Sequence, residues 1–156
     1  PETVEAFARM GTEEFRCVDI VKSRGVEEVF DLNEPQDLGQ YDLVIDPGTT
    51  EHCANFWQAT VNAANAVAVD GVIFHTPPLT MMNHGFFCPQ PTFYYDLYKQ
   101  NGWSIETMLI GDGHKVFQCP RTTRFEMEPE MSLWVVAKSG LDTPMKYPVQ
   151  TKYLKR

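Results

Sequence analysis

The sequence predicts an α/β domain built on a mostly parallel sheet. Two apolar runs, at residues 41–46 and 71–75, show little polar alternation, as is typical of strands buried on both faces. A segment of helical periodicity lies between them, from about residue 51 to residue 66. Strands that alternate with helices in this way indicate a parallel sheet, whose ligands usually bind beyond the carboxyl ends of the strands.

The N-terminal part is predicted to contain one helix and two short strands. Residues 1–14 have the apolar spacing of an amphipathic helix, and Pro1 suits its first turn. Residues 15–20 are rich in residues that favour strands. A second short strand is predicted at residues 26–30, just before a group of turn-forming residues.

The C-terminal half is predicted to contain a long loop, a helix and two paired strands. The loop spans residues 76–90, and the helix spans residues 91–100 between a proline and an Asn-Gly pair. Residues 103–110 and 131–138 are expected to form an antiparallel edge of the sheet. Residues 140–156 are rich in proline and basic residues, so we expect an extended or mobile tail after a domain of residues 1–139.

Composition narrows the classes of partner. The 156 residues suit one domain, and the formal net charge of −8 disfavours a nucleic-acid backbone as partner. No apolar run approaches the ~20 residues that cross a bilayer, so no membrane partner is expected. The four cysteines form no C-x-x-C pair, which favours reduced thiols and a cytoplasmic location.

Three motifs stand at the ends of successive predicted strands. They read V-D-I at residues 18–20, F-D-L at residues 30–32 and D-L-V-I-D-P-G-T-T-E-H at residues 42–52. In this order the motifs resemble those of class I S-adenosylmethionine-dependent methyltransferases, and the resemblance covers roughly residues 15–138. It implies a three-layer Rossmann-like fold with a final antiparallel hairpin, and S-adenosylmethionine as the cofactor.

The resemblance also assigns cofactor-binding roles. The acid at the end of the first predicted strand, Asp19, would accept hydrogen bonds from the ribose hydroxyls. Asp31 and the next backbone N–H would contact the adenine, and Asp46 would lie beside the transferred methyl group. The full predicted set is Asp19, Ile20, Asp31, Leu32, Asp46, Pro47 and Gly48.

Each of these acids also has a structural interpretation. Asp19 and Asp31 would equally suit solvated acids in turns that follow strands. Asp46 would suit an acid that caps a turn or a helix. The sequence leaves both interpretations open.

One part of the family pattern is missing from the sequence. The family's first strand and its G-x-G-x-G turn should precede residues 1–14, and the G-x-G at Gly111 and Gly113 opens no helix. The chain is therefore expected to be N-terminally truncated relative to the family. Because the missing strand lies mid-sheet, the strands at Phe15 and Tyr41 would pair directly, or another chain would fill the gap, or the chain is a fragment of a longer product.

The candidate catalytic residue is His52, which would act as a general base toward an acceptor hydroxyl. The alternative is a histidine that only packs in a loop. Its neighbour Glu51 suits the N-terminus of a helix whatever the function. A metal cluster of His52 with His75, His84 and Cys88 is conceivable, but the spacing matches no zinc pattern, so the sequence predicts no metal site.

Methionines and aromatic residues are dense between residues 81 and 95. They would either line an acceptor pocket or form a lid packed on the sheet. The residues are Met81, Met82, Phe86, Phe87, Phe93, Tyr94 and Tyr95.

Two functional hypotheses follow. The first is a methyltransferase that acts on a small-molecule or sugar-like acceptor. The alternative is a non-catalytic binding or structural domain that keeps the fold without binding the cofactor. Another nucleotide-dependent enzyme ranks lower, because the sequence has neither a P-loop nor a dinucleotide fingerprint. An exposed sheet edge would favour a homodimer.

Overall fold

The computed structural model describes residues 2–121, 123–140 and 144–154. The chain is an α/β protein with two separate sheets. Its helices are α1 (Glu2–Arg9), α2 (Phe56–Asn65), α3 (Pro91–Gln100) and α4 (Thr151–Leu154), with a 3-10 turn at Thr50–His52. Its strands are β1 (Cys17–Asp19), β2 (Glu27–Val29), β3 (Tyr41–Asp46), β4 (Val67–His75), β5 (Ser104–Gly111), β6 (Val116–Gln118) and β7 (Ser132–Lys138).

The larger sheet is mixed rather than mostly parallel. Its five strands lie in the order β3-β4-β7-β5-β6, and β3 and β4 are the only parallel neighbours among these described strands. The last strand in the sequence, β7, is inserted between β4 and β5 and is antiparallel to both. The predicted antiparallel pairing of β5 with β7 is therefore confirmed, although the pair is not at the edge. The edge strand beside β5 is the short strand β6, which was not predicted from the sequence.

The second sheet contains only β1 and β2, which run parallel. Neither strand pairs with β3 within the described residues. Direct pairing, one of the three ways to close the predicted gap, is thus not observed.

The core lies where α3 packs on the larger sheet. Strand β7 alternates between partly and fully buried residues, and the fully buried face contains Leu133, Val135 and Ala137. Leu97 and Tyr98 of α3 belong to the same cluster and are also fully buried. Burial of every second residue on β7, together with burial at helical spacing on α3, indicates that these two faces pack against each other.

Strand β3 is less buried than its sequence predicts. Leu43 and Ile45 are 51% and 39% exposed, so the prediction of a strand covered on both faces is wrong. Leu43 and Ile45 point to the same face of the sheet and are exposed there, whereas Val44 on the opposite face packs against the core. An apolar sequence shows that a strand is suited to burial and does not show that a covering element is present.

Two helices are shorter than predicted. α1 ends at Arg9, because Gly11 adopts a φ of +88° and the Gly11 N–H donates to Ala8 O. α2 begins at Phe56 rather than at about residue 51. Its N-cap is Asn55, whose side chain accepts a hydrogen bond from the Gln58 N–H, while the Thr49 side chain makes no capping bond.

Asp70 and Gly71 form a bulge inside β4. Asp70 has a φ of +65°, and the register shifts there relative to β3. A Cβ at Gly71 would come within 3.0 Å of Tyr41 O, so the close approach of the strands requires glycine.

The C-terminal tail is partly ordered by contacts with α3. The Asn101 side chain donates to Lys146 O and accepts from the Lys146 N–H, and Gln100 pairs with Val149 in the same way. The short helix α4 follows, where an extended or mobile tail was expected. Residues 141–143 and 155–156 of the predicted tail, and Pro1 of the predicted first helix, lie outside the described residues. No described helix has the length and apolar character required to cross a membrane.

Candidate functional site at the carboxyl ends of the parallel strands

The carboxyl ends of β3 and β4 meet at a buried acid–histidine pair. Asp46 ends β3 beside His75, which ends β4, and Asp46 Oδ2 lies 2.8 Å from His75 Nδ1. Pro47 and Gly48 then reverse the chain, since Gly48 adopts a φ of +90° that favours glycine. The reversal directs the Thr49 and Thr50 N–H groups and the Thr50 hydroxyl at the Asp46 carboxylate.

These bonds determine the protonation of Asp46. Burial alone would raise the pKa of its carboxyl, but the hydrogen bonds from His75, Thr50 and Thr49 outweigh that effect and hold the pKa below its usual value. Asp46 therefore has the geometry of a turn-capping acid, the structural interpretation that the sequence left open. Its oxygens are already engaged by the protein.

A chain of hydrogen bonds continues from Asp46 through His75 to α3. His75 Nε2 lies 2.5 Å from the Tyr98 hydroxyl, and both residues are fully buried. The Asp46 carboxylate can only accept, so His75 Nδ1 carries a proton and Nε2 is free to accept from Tyr98. Burial raises the pKa of Tyr98 well above its usual value, which keeps its hydroxyl protonated as a donor. Both nitrogens of His75 are thus used internally.

Glu51 is the least expected residue of the site. It is fully buried in the 3-10 turn after Gly48, and no described residue donates a hydrogen bond to either carboxylate oxygen. Burial raises the pKa of this carboxyl above its usual value. A Cβ at Gly48 would lie 3.0 Å from Glu51 Oε1, so the glycine makes room for the carboxylate.

His52 and His84 both lie close to this carboxylate. Their Nε2 atoms are 3.9 and 3.8 Å from Glu51 Oε1, and their ring centroids are 5.2 Å apart. Both side chains are about half exposed, at 49% and 44%. The structure thus brings together two residues of the group considered from sequence and adds Glu51.

The other two members of that group lie elsewhere. His75 is held by Asp46 and Tyr98, as described above. The Cys88 thiol donates to Met81 O at 3.4 Å and belongs to no described metal-binding group.

The two acids predicted to bind the ribose and the adenine lie at or just after the carboxyl ends of the strands in the small sheet. Asp19 accepts from the Val21 N–H and lies 3.6 Å from an Arg24 nitrogen. Asp31 accepts two hydrogen bonds from Asn33 on its Oδ1 atom, and these bonds lower its pKa. Each acid keeps accessible oxygen lone pairs, since Asp19 is partly exposed and Asp31 is exposed.

The other predicted cofactor residues differ in their surroundings. Ile20 is 58% exposed, and Pro47 is exposed. The Leu32 carbonyl accepts a hydrogen bond from Asn62 of α2. Gly48 packs over Glu51 as described above.

Two sets of contacts orient the small sheet relative to the larger one. At the amino ends, Arg16 before β1 donates to Leu38 O before β3. At the carboxyl ends, Asn55 after β3 donates its backbone and side-chain N–H groups to Asn33 after β2. The parallel strands of both sheets therefore point the same way, and Asp19, Asp31 and Asp46 end at the same side of the protein.

The Met-rich and aromatic segment contains both buried and exposed side chains. Tyr94 is fully buried in the core and its ring lies 4.9 Å from that of His75. Phe87 and Phe93 contact Phe56 at the start of α2. Met82 and Phe86 are instead 85% and 72% exposed beside His84.

A separate cavity of about 900 Å³ lies away from these strand ends. It is bounded by the start of α3, the segment around Phe125 and the C-terminal residues near Thr151. Its buried acid, Asp96, accepts hydrogen bonds from the Thr151 N–H and hydroxyl. That acid is therefore satisfied by the chain itself.

Comparisons with family models, with curated proteins and with solved structures found no match for this chain.

Proposed function

We propose that the chain is a methyltransferase-like domain whose nucleoside site lies at the carboxyl ends of β1, β2 and β3. The observation that supports this proposal is the common direction of the three strands, each of which ends within two residues of an acid. In sheets of parallel strands, ligands bind beyond the carboxyl ends where neighbouring strands diverge. The unpaired edges of β1 and β3 are such a point among the described residues.

The strand arrangement supports the finer fold assignment. A parallel pair, β3 and β4, is followed by β7 inserted antiparallel beside β5, which agrees with the antiparallel hairpin that the resemblance implies. Helices α2 and α3 both contact the larger sheet. We therefore propose a Rossmann-like architecture in which one mid-sheet strand between β1 and β3 is lacking.

The site residues fit the adenosine half of S-adenosylmethionine. Asp19 and Asp31 have accessible carboxylate oxygens for the ribose hydroxyls and the adenine amino group. The methionine half has no counterpart, because the sequence has no G-x-G-x-G turn through which the backbone could approach it. Asp46 would position the turn at Pro47 and Gly48 rather than contact the cofactor.

The bound cofactor would supply an electrophilic methyl group and leave as a neutral thioether. The protein then has mainly to orient a small-molecule or sugar-like acceptor. The half-exposed His52 imidazole is the described side chain best placed to accept a proton from an acceptor hydroxyl.

The alternative function is a binding domain without catalysis. It is favoured by the internal engagement of Asp46 and by the missing glycine turn. This domain would keep the fold without binding the cofactor, so the two hypotheses differ in whether the strand ends bind S-adenosylmethionine.

Calorimetric titration with S-adenosylhomocysteine tests the nucleoside site. We expect binding by the 156-residue chain, weakened about 10- to 100-fold in Asp19→Asn, because each charge-assisted hydrogen bond contributes about 1.5–3 kcal/mol. Asp42→Asn is the matched control, since Asp42 is an exposed acid on β3 before the strand end. Absence of heat at high micromolar ligand, or equal weakening in both variants, would refute the site.

A further inference from the structure

The carboxyl group of Glu51 is buried and has no hydrogen-bond partner among the described residues. A buried carboxylate that stays ionised is normally paired with a cation or bound to a metal, because isolated charge is costly to remove from water. No lysine or arginine of the described chain forms an ion pair with Glu51. Its nearest polar partners are the imidazoles of His52 and His84.

The three side chains converge on one small volume. One ligand atom from each of Glu51, His52 and His84 can be chosen so that all three lie within 4.8 Å of one another. The two Nε2 atoms are 3.9 and 3.8 Å from Glu51 Oε1. Ligands about 2.0–2.1 Å from a tetrahedral ion would be about 3.4 Å apart, so small side-chain rotations would bring these atoms to coordination distance.

The backbone holds the two chain segments that carry these three residues close together. The Phe86 and Phe87 N–H groups donate to Glu51 O at 3.0 and 3.3 Å, which fixes the loop that carries His84 over the 3-10 turn. A Cβ at Gly85 would lie 3.0 Å from Glu51 O and 3.3 Å from His52 Nδ1. Glycine at this position therefore allows the loop to approach both other ligand-bearing residues.

We propose that Glu51, His52 and His84 bind a divalent transition-metal ion of the zinc class. Two imidazoles and one carboxylate are a donor set that such ions accept, and three protein ligands leave a coordination position for water or substrate. The half-exposed histidines open the site to solvent, beside the exposed Phe86. None of these three residues belongs to the set assigned to the nucleoside above.

Metal binding would change the role of His52. Its Nε2 lone pair would coordinate the ion and would no longer accept a proton from an acceptor. The ion would also neutralise the Glu51 carboxylate, which explains how this group can be buried without a protein donor.

Titration of the metal-free chain with Co²⁺, followed by visible absorption, tests this proposal. We expect one ion per chain, displaced by Zn²⁺, with no thiolate-to-metal charge-transfer band. His52→Ala and His84→Ala should each weaken binding at least tenfold, and their exposed side chains make loss of folding unexpected. Far-UV circular dichroism checks that both variants keep the fold.

His114→Ala is the matched control, because His114 is exposed in the turn after β5 and lies outside the cluster. It should bind Co²⁺ like the parent chain. The proposal is overturned by no binding at millimolar metal, by binding that survives both cluster variants, or by a thiolate band that assigns the ion to cysteine. Asp19→Asn should keep Co²⁺ binding, so failure here and failure of the nucleoside site are distinguishable.

Discussion

At the scale of single residues, the buried polar groups fall into a satisfied set and an unsatisfied set. Asp46, His75 and Tyr98 satisfy one another and link β3, β4 and α3. The Glu51 carboxylate and the Tyr94 hydroxyl have no hydrogen-bond partner among the described residues. The first set stabilises the fold, whereas Glu51 is the group with capacity left for a ligand.

Two tyrosines on the same helix make this distinction measurable. Tyr98→Phe should lower the free energy of unfolding by about 1–3 kcal/mol, because it leaves His75 Nε2 buried without a donor. Tyr94→Phe should be neutral or stabilising, since the hydroxyl it removes has no partner. Urea unfolding of both variants measures the difference. Equal losses in the two would show that the hydrogen bond to His75 contributes nothing.

The site residues were only partly predictable from the sequence. The motifs placed Asp19, Asp31 and Asp46 at strand ends because a strand followed by turn formers is a local pattern. The burial of Glu51 could not be predicted in this way. It depends on a loop more than 30 residues later in the chain folding over the 3-10 turn.

At the scale of elements, local signals determined which boundaries were predictable. α3 and β3 have the predicted bounds, since Pro91, the Asn-Gly pair and the Pro-Gly turn mark their ends. The start of α2 was predicted too early, because the 3-10 turn at Thr50–His52 precedes the α-helix. The correct signal was present as Asn55 with Gln58 three residues later, a capping-box spacing.

The small sheet depends on ion pairs because it has little core of its own. The Arg24 guanidinium holds the pKa of Glu27 at about 2, and the Arg16 guanidinium forms two hydrogen bonds with Glu28. Glu27 is buried at the start of β2, whereas Arg24 is mostly exposed. A two-stranded sheet is marginal without such support.

This pairing predicts a pH dependence of stability. The folded pKa of Glu27 lies below its ordinary value of 4.5, so its contribution is present above pH 4.5 and is lost as pH falls toward 2. Glu27→Gln should therefore lower the Tm at pH 7 and lower it much less at pH 3. Calorimetric melting of both chains at the two pH values is the measurement. An undiminished difference at pH 3 would contradict the assigned pairing.

At the scale of the whole molecule, the main feature of the fold is that the two sheets are separate. Strands β1 and β3 point the same way, yet each has an unpaired edge within the described residues. The exposed apolar residues Leu43 and Ile45 lie on β3. Burial on both faces was predicted for β3 because its sequence shows little polar alternation, and local patterns cannot reveal that the face of Leu43 and Ile45 is exposed.

The same separation bears on association between chains. A strand with an exposed apolar face and an unpaired edge can pair with the same strand of a second copy. We therefore propose that the chain forms a homodimer through β3. The proposed nucleoside site would then lie at the border of that contact.

Amide hydrogen exchange with and without S-adenosylhomocysteine tests most directly whether the three strand ends form one nucleoside site. If these strand ends bind the ligand, we expect amide exchange to slow at residues 19–21, 31–33 and 46–50 and to stay unchanged in β5 and β6. Protection confined to other segments, or none at saturating ligand, would contradict it.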